Sequence, residues 1–458
     1  MEIKLSECAK IVQGTLVGED VSFSSVSIDT RTIVETRLIA SLLYIAIKGK
    51  NFDGNEFVDQ AEQAGACAAI VHSGVNTSLP HIIVDNTTLA LAQLAGEWRK
   101  KLAVSVVGVT GSNGKTTVKE MTAAILAVNH QVLFTQGNLN NDIGVPLTLL
   151  RLDEQHRYAV IEMGANHPKE IEYSSTYANA DVAVITNAGA AHIEGFISVE
   201  GVAKAKGEII ETLRADGTAI LNRDDDYFAY WQGVAGNRKI ISFGLNAQAD
   251  VTASAIHTSI QDNAFITSFK MLHAQTHTII NLKLAGQHNV VNALAAAAAC
   301  IALGISLEQI KQGLENVKPV TGRLQPLISR LGNIVIDDTY NANADSLKAG
   351  LAVLADCSTK PWLILGAFGE LGEDSVNIHS EMGELIKASG VQRLFAMGED
   401  ARHTVQAYGE GARFFDSQDD LIAVLKQELK GDETLLIKGS RVRRMENVAA
   451  ALIDNFRM

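Results

Sequence analysis

The chain is poor in cysteine, short of basic charge and without a long apolar run. Cys8, Cys67, Cys300 and Cys357 are the four thiols in 458 residues. They stand too far apart to form a metal-ligand or redox pair, which fits a reduced compartment. Lys and Arg number 39 against 52 Asp and Glu, a formal charge of −13. That balance argues against a nucleic-acid backbone or an anionic membrane surface as main partner. It leaves a small anionic substrate open, because an acidic protein can carry a local basic pocket. The most apolar stretch, ALAAAAACIALGI at 293–305, is too short to span a bilayer. The opening MEIKLSECAK has no apolar run of signal-peptide length. We therefore expect a cytosolic protein without stable membrane insertion. Nothing demands an oligomer, so a monomer is expected. Internal repeats and low-complexity tracts are also absent.

What is present is globular and repeatedly alternating. The length suggests two to four domains. Apolar runs at 104–109, 131–135, 158–162, 181–186 and 218–221 read as strands, as do 333–337, 362–366, 393–397 and 434–437. Segments of helical spacing separate most of them, which predicts an α/β protein with helix-covered parallel sheets. Three blocks follow. Residues 1–83 form a small α/β unit, 84–318 the longest βα series, and 319–458 a renewed alternation after VKPVTGRLQ. Pro319 and Gly322 mark the linker.

The segment VVGVTGSNGKTT, Val106 to Thr117, carries the strongest local signal. A buried strand runs into Gly111, Ser112, Asn113 and Gly114, and KTTVKEMTAAILAV continues with helical spacing. A strand, a glycine turn and a helix N-terminus aim backbone N–H groups and the helix dipole at one point. Lys115 would reach the β- and γ-phosphates of a nucleotide, and Thr116 a magnesium ion. The strict Walker spacing asks for glycine at the position of Val109, and Gly108 comes one residue early. The plain alternative is a glycine turn with a solvated lysine.

Neighbouring segments supply candidate partners. YAVIEMGANHPKEI is an apolar strand ending in Glu162, a carboxylate well placed for magnesium if it meets the phosphate loop. DVAVITNAGAAHIEGF is a second such strand, followed by a small-residue loop with His192. Either residue, alone, is equally at home as a solvated surface group. In SVEGVAKAKGEIIETL, Val199, Val202, Ala203, Ile209, Ile210 and Leu213 form an apolar stripe that includes Lys206 and excludes Lys204. A lysine on a buried face is costly unless paired, neutralised or modified, although a long stem can also snorkel to water.

Two further groups stand at element ends. Gly286, His288, Asn289 and Asn292 open an Ala-rich helix, and His288 and Asn292 are one turn apart. An imidazole and an amide suit a purine base, by stacking and by edge hydrogen bonds; helix capping is the competing role. NIVIDDTYNANADSLKAGL ends a strand at Asp337 and Asp338, followed by Tyr340, Asn341 and Asn343. Arg323, beside the linker, could swing onto a phosphate as domains close, or remain a surface arginine.

Together these segments resemble the Mur ligase family, ATP-dependent amino-acid ligases of peptidoglycan synthesis. TGSNGKTT, GNLNNDIGVPLTLL (137–150), EMGANHPKEI, TNAGAAHIEGF, AKGEI, GQHNVVNALAA, GRLQ and DDTYNANADS occur in the family's order along essentially the whole chain. GNLNNDIGVPLTLL, DDTYNAN and IKGSRVRRMENV (437–448) are similar to the branch that adds D-alanyl-D-alanine to UDP-N-acetylmuramoyl-tripeptide.

The resemblance implies a three-domain fold. Residues 1–83 would bind the UDP-muramoyl substrate, 84–318 would be a P-loop ATPase domain, and 319–458 a Rossmann-like ligase domain. It implies ATP and Mg2+ as cofactors and an acyl-phosphate route to the peptide bond. Gly111, Ser112, Asn113, Gly114, Lys115, Thr116, Thr117, His288, Asn289, Asn292, Arg323 and Asp338 would bind ATP. Thr116, Glu162, His192 and Lys206, the last carrying a carbamate, would hold metal. Lys115, Lys206 and Arg323 would serve the reaction. Substrate contacts would come from Ser27, Thr30, Arg31 and Lys48, from Asn138, Asn140 and Asn141, and from Tyr340, Asn341, Asn343, Lys438, Ser440 and Arg441. Another ligase of this fold, such as a folylpolyglutamate synthase, and a non-ligase P-loop switch are the alternatives.

Overall fold

A computed structural model describes residues 1–36, 41–49, 52–72, 75–189, 193–261, 264–369 and 371–453. Three main sheets carry the fold. The first orders Thr15–Val17, His81–Ile83, Ala68–Val71, Leu42–Ile45 and Ser25–Ser27 side by side, parallel except at Thr15–Val17. Ile45, Ala68 and Ile70 are fully buried within it. Such continuous apolar runs mark strands covered on both faces.

The central sheet has nine strands, with Ser105–Thr110 between Val182–Ile185 and His156–Glu162. These three pair in parallel, so Thr110, Glu162 and Ile185 end at one edge. The chain crosses to both sides of Ser105–Thr110, and the crevice beyond such a crossing point is where open α/β sheets bind ligands. Helices Lys115–Leu126 and Gln287–Ala302 cover one face, and Thr87–Lys100, Glu170–Ala178 and Val199–Glu211 the other. Ala293 and Ala295 through Ala299 are wholly buried, so the Ala-rich segment is a core helix.

One part of this sheet departs from the expected parallel pattern. Val251–Gln261, Ala264–His273 and Thr276–Leu282 form an antiparallel extension on its far side. Ala264–His273 alternates half-buried and buried positions, the period-two signature of a sheet with one wet face. Its many Thr, Ser and His residues break the apolar run by which nine other strands are recognised. The outer strand, Thr276–Leu282, is capped by helix Leu307–Glu315: Lys311 Nζ donates to Ile279 O at 2.6 Å, and Asn281 N–H donates to Glu315 Oε1 at 2.9 Å.

The third sheet runs Gln325–Ile328, Ile334–Asp338, Thr434–Lys438, Pro361–Gly366, Arg393–Met397 and Ala412–Phe415, antiparallel only at its first strand. Asp338 and Lys438 are register partners.

Candidate active site

The phosphate loop follows Ser105–Thr110 and feeds helix Lys115–Leu126. Gly111 has φ +147° and Gly114 φ +80°, backbone that side chains disfavour. A Cβ on Gly111 would sit 1.9 Å from Thr186 Oγ1, and one on Gly114 2.3 Å from Asn292 Oδ1. The loop is braced from outside. Asn113 N–H donates to Asn187 Oδ1 at 2.9 Å, and Asn113 O accepts from Thr186 Oγ1 at 2.5 Å. Thr186 and Asn187 were not singled out in the sequence; their signal is a polar pair directly after the apolar run VAVI.

Lys115 Nζ turns back onto the loop, donating to Gly111 O at 2.5 Å and Ser112 O at 3.1 Å. Burial holds its pKa below the usual lysine value; Glu162 opposes this and Arg323 adds to it. Arg323 reaches the same place from the linker, its Nη2 donating to Thr116 Oγ1 at 3.0 Å. Asn343 Nδ2 donates to Asn113 Oδ1 at 2.9 Å, a second bridge from the C-terminal sheet region to the loop. Asn343 also caps helix Ala344–Cys357 in a reciprocal box with Ser346.

Glu162 is 2 % exposed at the end of its strand. Its N–H donates to Thr135 Oγ1 at 3.0 Å and its Oε1 accepts from Asn140 Nδ2 at 2.9 Å. Among the described residues, its buried Oε2 has no hydrogen-bond partner. A buried carboxylate oxygen without a donor fits a cation, and with the Thr116 hydroxyl at the same cleft the donor set suits magnesium. Lys206 is 2 % exposed, while Lys204 lies outside and pairs with Glu200 at 2.7 Å, as the stripe predicts. Lys206 Nζ lies 5.4 Å from the centre of the Phe196 ring. Burial first, and Lys115 second, push its pKa down to about 7 against the pull of Glu208 and Glu170. His192 lies outside the described residues.

Two cavities of about 390 Å³ each open on either side of the loop. The first is lined by Asn113, Gly114, Thr117, His288, Asn289, Asn292, Arg323 and Asp338, among largely apolar walls at Leu284, Val317 and Val320. Burial lowers the His288 pKa to about 4, with Asp338 opposing and Lys438 adding, so its imidazole is neutral. Asn289 is partly spent on structure, its Nδ2 donating to Ala285 O at 2.8 Å and its Oδ1 accepting from Asn292 at 3.2 Å. The second cavity is lined by Ser112, Lys115, Thr116, Asn140, Asn141, Glu162, Tyr340, Asn341, Asn343, Lys438, Ser440 and Arg441. Lys438 is 1 % exposed and its charge is met by Asp338 Oδ2 at 2.6 Å. Ser440 Oγ donates to Ala367 O at 2.7 Å. Gly164, Asn166, Glu170 and Ser346 also line it and were not read from the sequence.

Ser27, Thr30, Arg31, Lys48 and Asn138 line neither cavity. Ser27 Oγ bonds Asp29 O at 3.0 Å, Thr30 begins helix Thr30–Thr36, Arg31 pairs with Asp29 at 2.6 Å, and Lys48 lies 3.4 Å from Asp53. Asn138 is exposed in a turn.

Comparison with known proteins places this geometry. Residues 23–125 match the Mur ligase family catalytic domain, 109–300 the Mur ligase middle domain, and 322–441 the Mur ligase glutamate ligase domain. The UDP-N-acetylmuramoyl-tripeptide–D-alanyl-D-alanine ligase of Escherichia coli is 42% identical over 459 residues, covering 99% of both chains. A crystal structure of MurF from Acinetobacter baumannii superposes with a TM-score of 0.91 at 34% identity, covering 99% of each chain. MurF ligase from Thermotoga maritima in complex with ADP gives 0.84 at 27% identity, over 93% of this chain and 96% of that one. Three matched domains and likeness from end to end lead to one conclusion: the chain belongs to the Mur ligase family.

Proposed function

We propose that this chain ligates D-alanyl-D-alanine to UDP-N-acetylmuramoyl-tripeptide at the expense of ATP, in peptidoglycan precursor synthesis. The observation that carries the reading is the meeting of Lys115, Arg323 and Thr116 over the glycine loop, with the donor-free Glu162 Oε2 in the same cleft. Among the described residues, no carboxylate is bonded to either of these two cations, which suits a polyanion.

The chemistry follows from the two cavities. The first, with a neutral His288 and the Asn292 amide beside apolar walls, receives the adenosine portion of ATP. The second receives the peptide end. There the tripeptide carboxylate attacks the γ-phosphorus; an O–P bond forms, ADP departs and an acyl phosphate remains. The amine of the dipeptide then attacks the acyl carbon, the C–N bond forms, and phosphate leaves as the amine loses its proton. Lys115 and Arg323 offset charge on the transferring phosphoryl group, and positioning supplies most of the acceleration. Thr116, Glu162, His192 and a carbamate on Lys206 would hold magnesium, whose contribution when bound is to neutralise phosphate charge. A neutral Lys206 amine is the form that adds carbon dioxide, and burial favours that form. Residues 1–83 serve the uridine and sugar, through Ser27, Thr30, Arg31 and Lys48; 84–318 serve ATP; 319–458 close over both. The enzyme works in the cytoplasm as a monomer. Among the described residues no helix is long and apolar enough to cross a membrane.

The test is phosphate release from ATP with UDP-N-acetylmuramoyl-tripeptide, with and without D-alanyl-D-alanine. Release that requires both, together with a UDP-pentapeptide by mass, is the expected result. A folded protein that binds ATP but shows no dipeptide-dependent release overturns the reading.

A further inference from the structure

Tyr340 touches two arginines at once. Arg323 Cζ lies 4.3 Å from the centre of its ring and Arg441 Cζ 5.8 Å. The guanidinium of Arg323 has few other holds. Its Nη2 donates to Thr116 Oγ1 at 3.0 Å, and its buried Nε has no hydrogen-bond partner among the described residues. The two residues are also tied through the backbone, since Tyr340 N–H donates to Gly322 O at 3.0 Å. Gly322 has φ +73°, and a Cβ there would sit 3.2 Å from Tyr340 N. The ring therefore packs against the linker turn from which Arg323 projects. Among the described residues, no protein group bonds the Tyr340 hydroxyl.

We propose that Tyr340 is a positioning residue: its ring face holds the Arg323 guanidinium over the phosphate loop and Arg441 at the wall of the second cavity. An arginine on a linker is flexible, and fixing it at the moment of phosphoryl transfer costs side-chain entropy. A cation held on an aromatic face has met that cost beforehand while keeping its N–H groups free for phosphate oxygens. The inference rests on the ligase reading for the identity of the group that Arg323 meets. It assigns to the ring a role that a hydroxyl contact with substrate would not require.

A double-mutant cycle tests it. Tyr340→Leu is expected to lower kcat by about tenfold, with KM for ATP moving less than about twofold, and Tyr340→Phe to recover most of that loss. In an Arg323→Ala background, Tyr340→Leu should cost little more, because its effect passes through the arginine. Additive losses, a Phe variant as impaired as the Leu variant, or an unimpaired Leu variant would each overturn the proposal. Thermal unfolding of every variant separates these outcomes from misfolding. The same cycle, read as calorimetric affinity for ADP with aluminium fluoride, a mimic of the transferring phosphoryl group, needs no dipeptide. A wild-type protein without dipeptide-dependent phosphate release thus sinks the ligase reading, while additivity in that affinity sinks the Tyr340–Arg323 coupling.

Discussion

Lys206 is the residue whose sequence position and physical state agree most informatively. A buried lysine is expensive as a cation, and among the described residues no carboxylate forms an ion pair with Lys206. Its proximity to Lys115 raises that expense further. Conversion to a carbamate replaces the cation with an anion that a metal can use. Lys206→Ala should lower ligation by about a hundredfold or more, and added formate or acetate should return part of it. A variant with the wild-type rate would remove Lys206 from the reaction. The stripe through Val202, Ala203, Ile209 and Ile210 made the burial of this lysine legible, since helical period alone sets which side chains face inward. Thr186 and Asn187 were not legible in that way. Each meets the phosphate loop region only because separate strands and helices end beside it, and no local pattern records which loops become neighbours.

At the level of elements, apolar runs located nine strands to within about two residues, because parallel strands are buried on both faces. The antiparallel extension escaped, as its wet face dilutes the run with Thr and Ser. That extension ends in a strand edge, a surface that invites pairing with another chain when left open. Lys311 and Glu315 occupy it by bonding Ile279 O and Asn281 N–H, and they also bond each other at 2.6 Å. The pair Lys311→Ala and Glu315→Ala should therefore raise aggregation more than it lowers the unfolding midpoint. Light scattering during a slow temperature ramp, beside the unfolding signal, checks this; onset unchanged from wild type would show that the cap is dispensable.

For the whole molecule, two histidines with depressed pKa values set the acid limit. His379 is 0 % exposed, with Phe368 N–H donating to its Nε2 at 3.1 Å and its Nδ1 2.8 Å from Ser375 O. That bonding requires the neutral ring, protonated on Nδ1. Burial holds the His379 pKa below the ordinary value, against Ser375 and Asp400, with His403 and Arg443 adding to the depression. His288 is displaced in the same direction, to about 4. Between that value and an unfolded pKa of about 6.5 the unfolded chain binds more protons, so stability present above about pH 6.5 is lost as pH falls. The denaturant midpoint should drop between about pH 7 and about pH 5, and drop less in His379→Gln. Parallel pH curves for the two proteins would assign the acid sensitivity elsewhere. The three-block organisation was visible in the sequence because each block restarts its own alternation. The sharing of one site among blocks was expected only through Arg323 and the family resemblance, and no local pattern showed Asn343 reaching across to Asn113.

That reach has a kinetic consequence. Asn113, Gly114, Arg323, Asp338 and Ser346 line both cavities, so the phosphate loop works as a partition with a hatch. On the ligase reading the phosphoryl group alone crosses it, the nucleoside keeping to one chamber and the peptide to the other, so release of one product need not wait on the other.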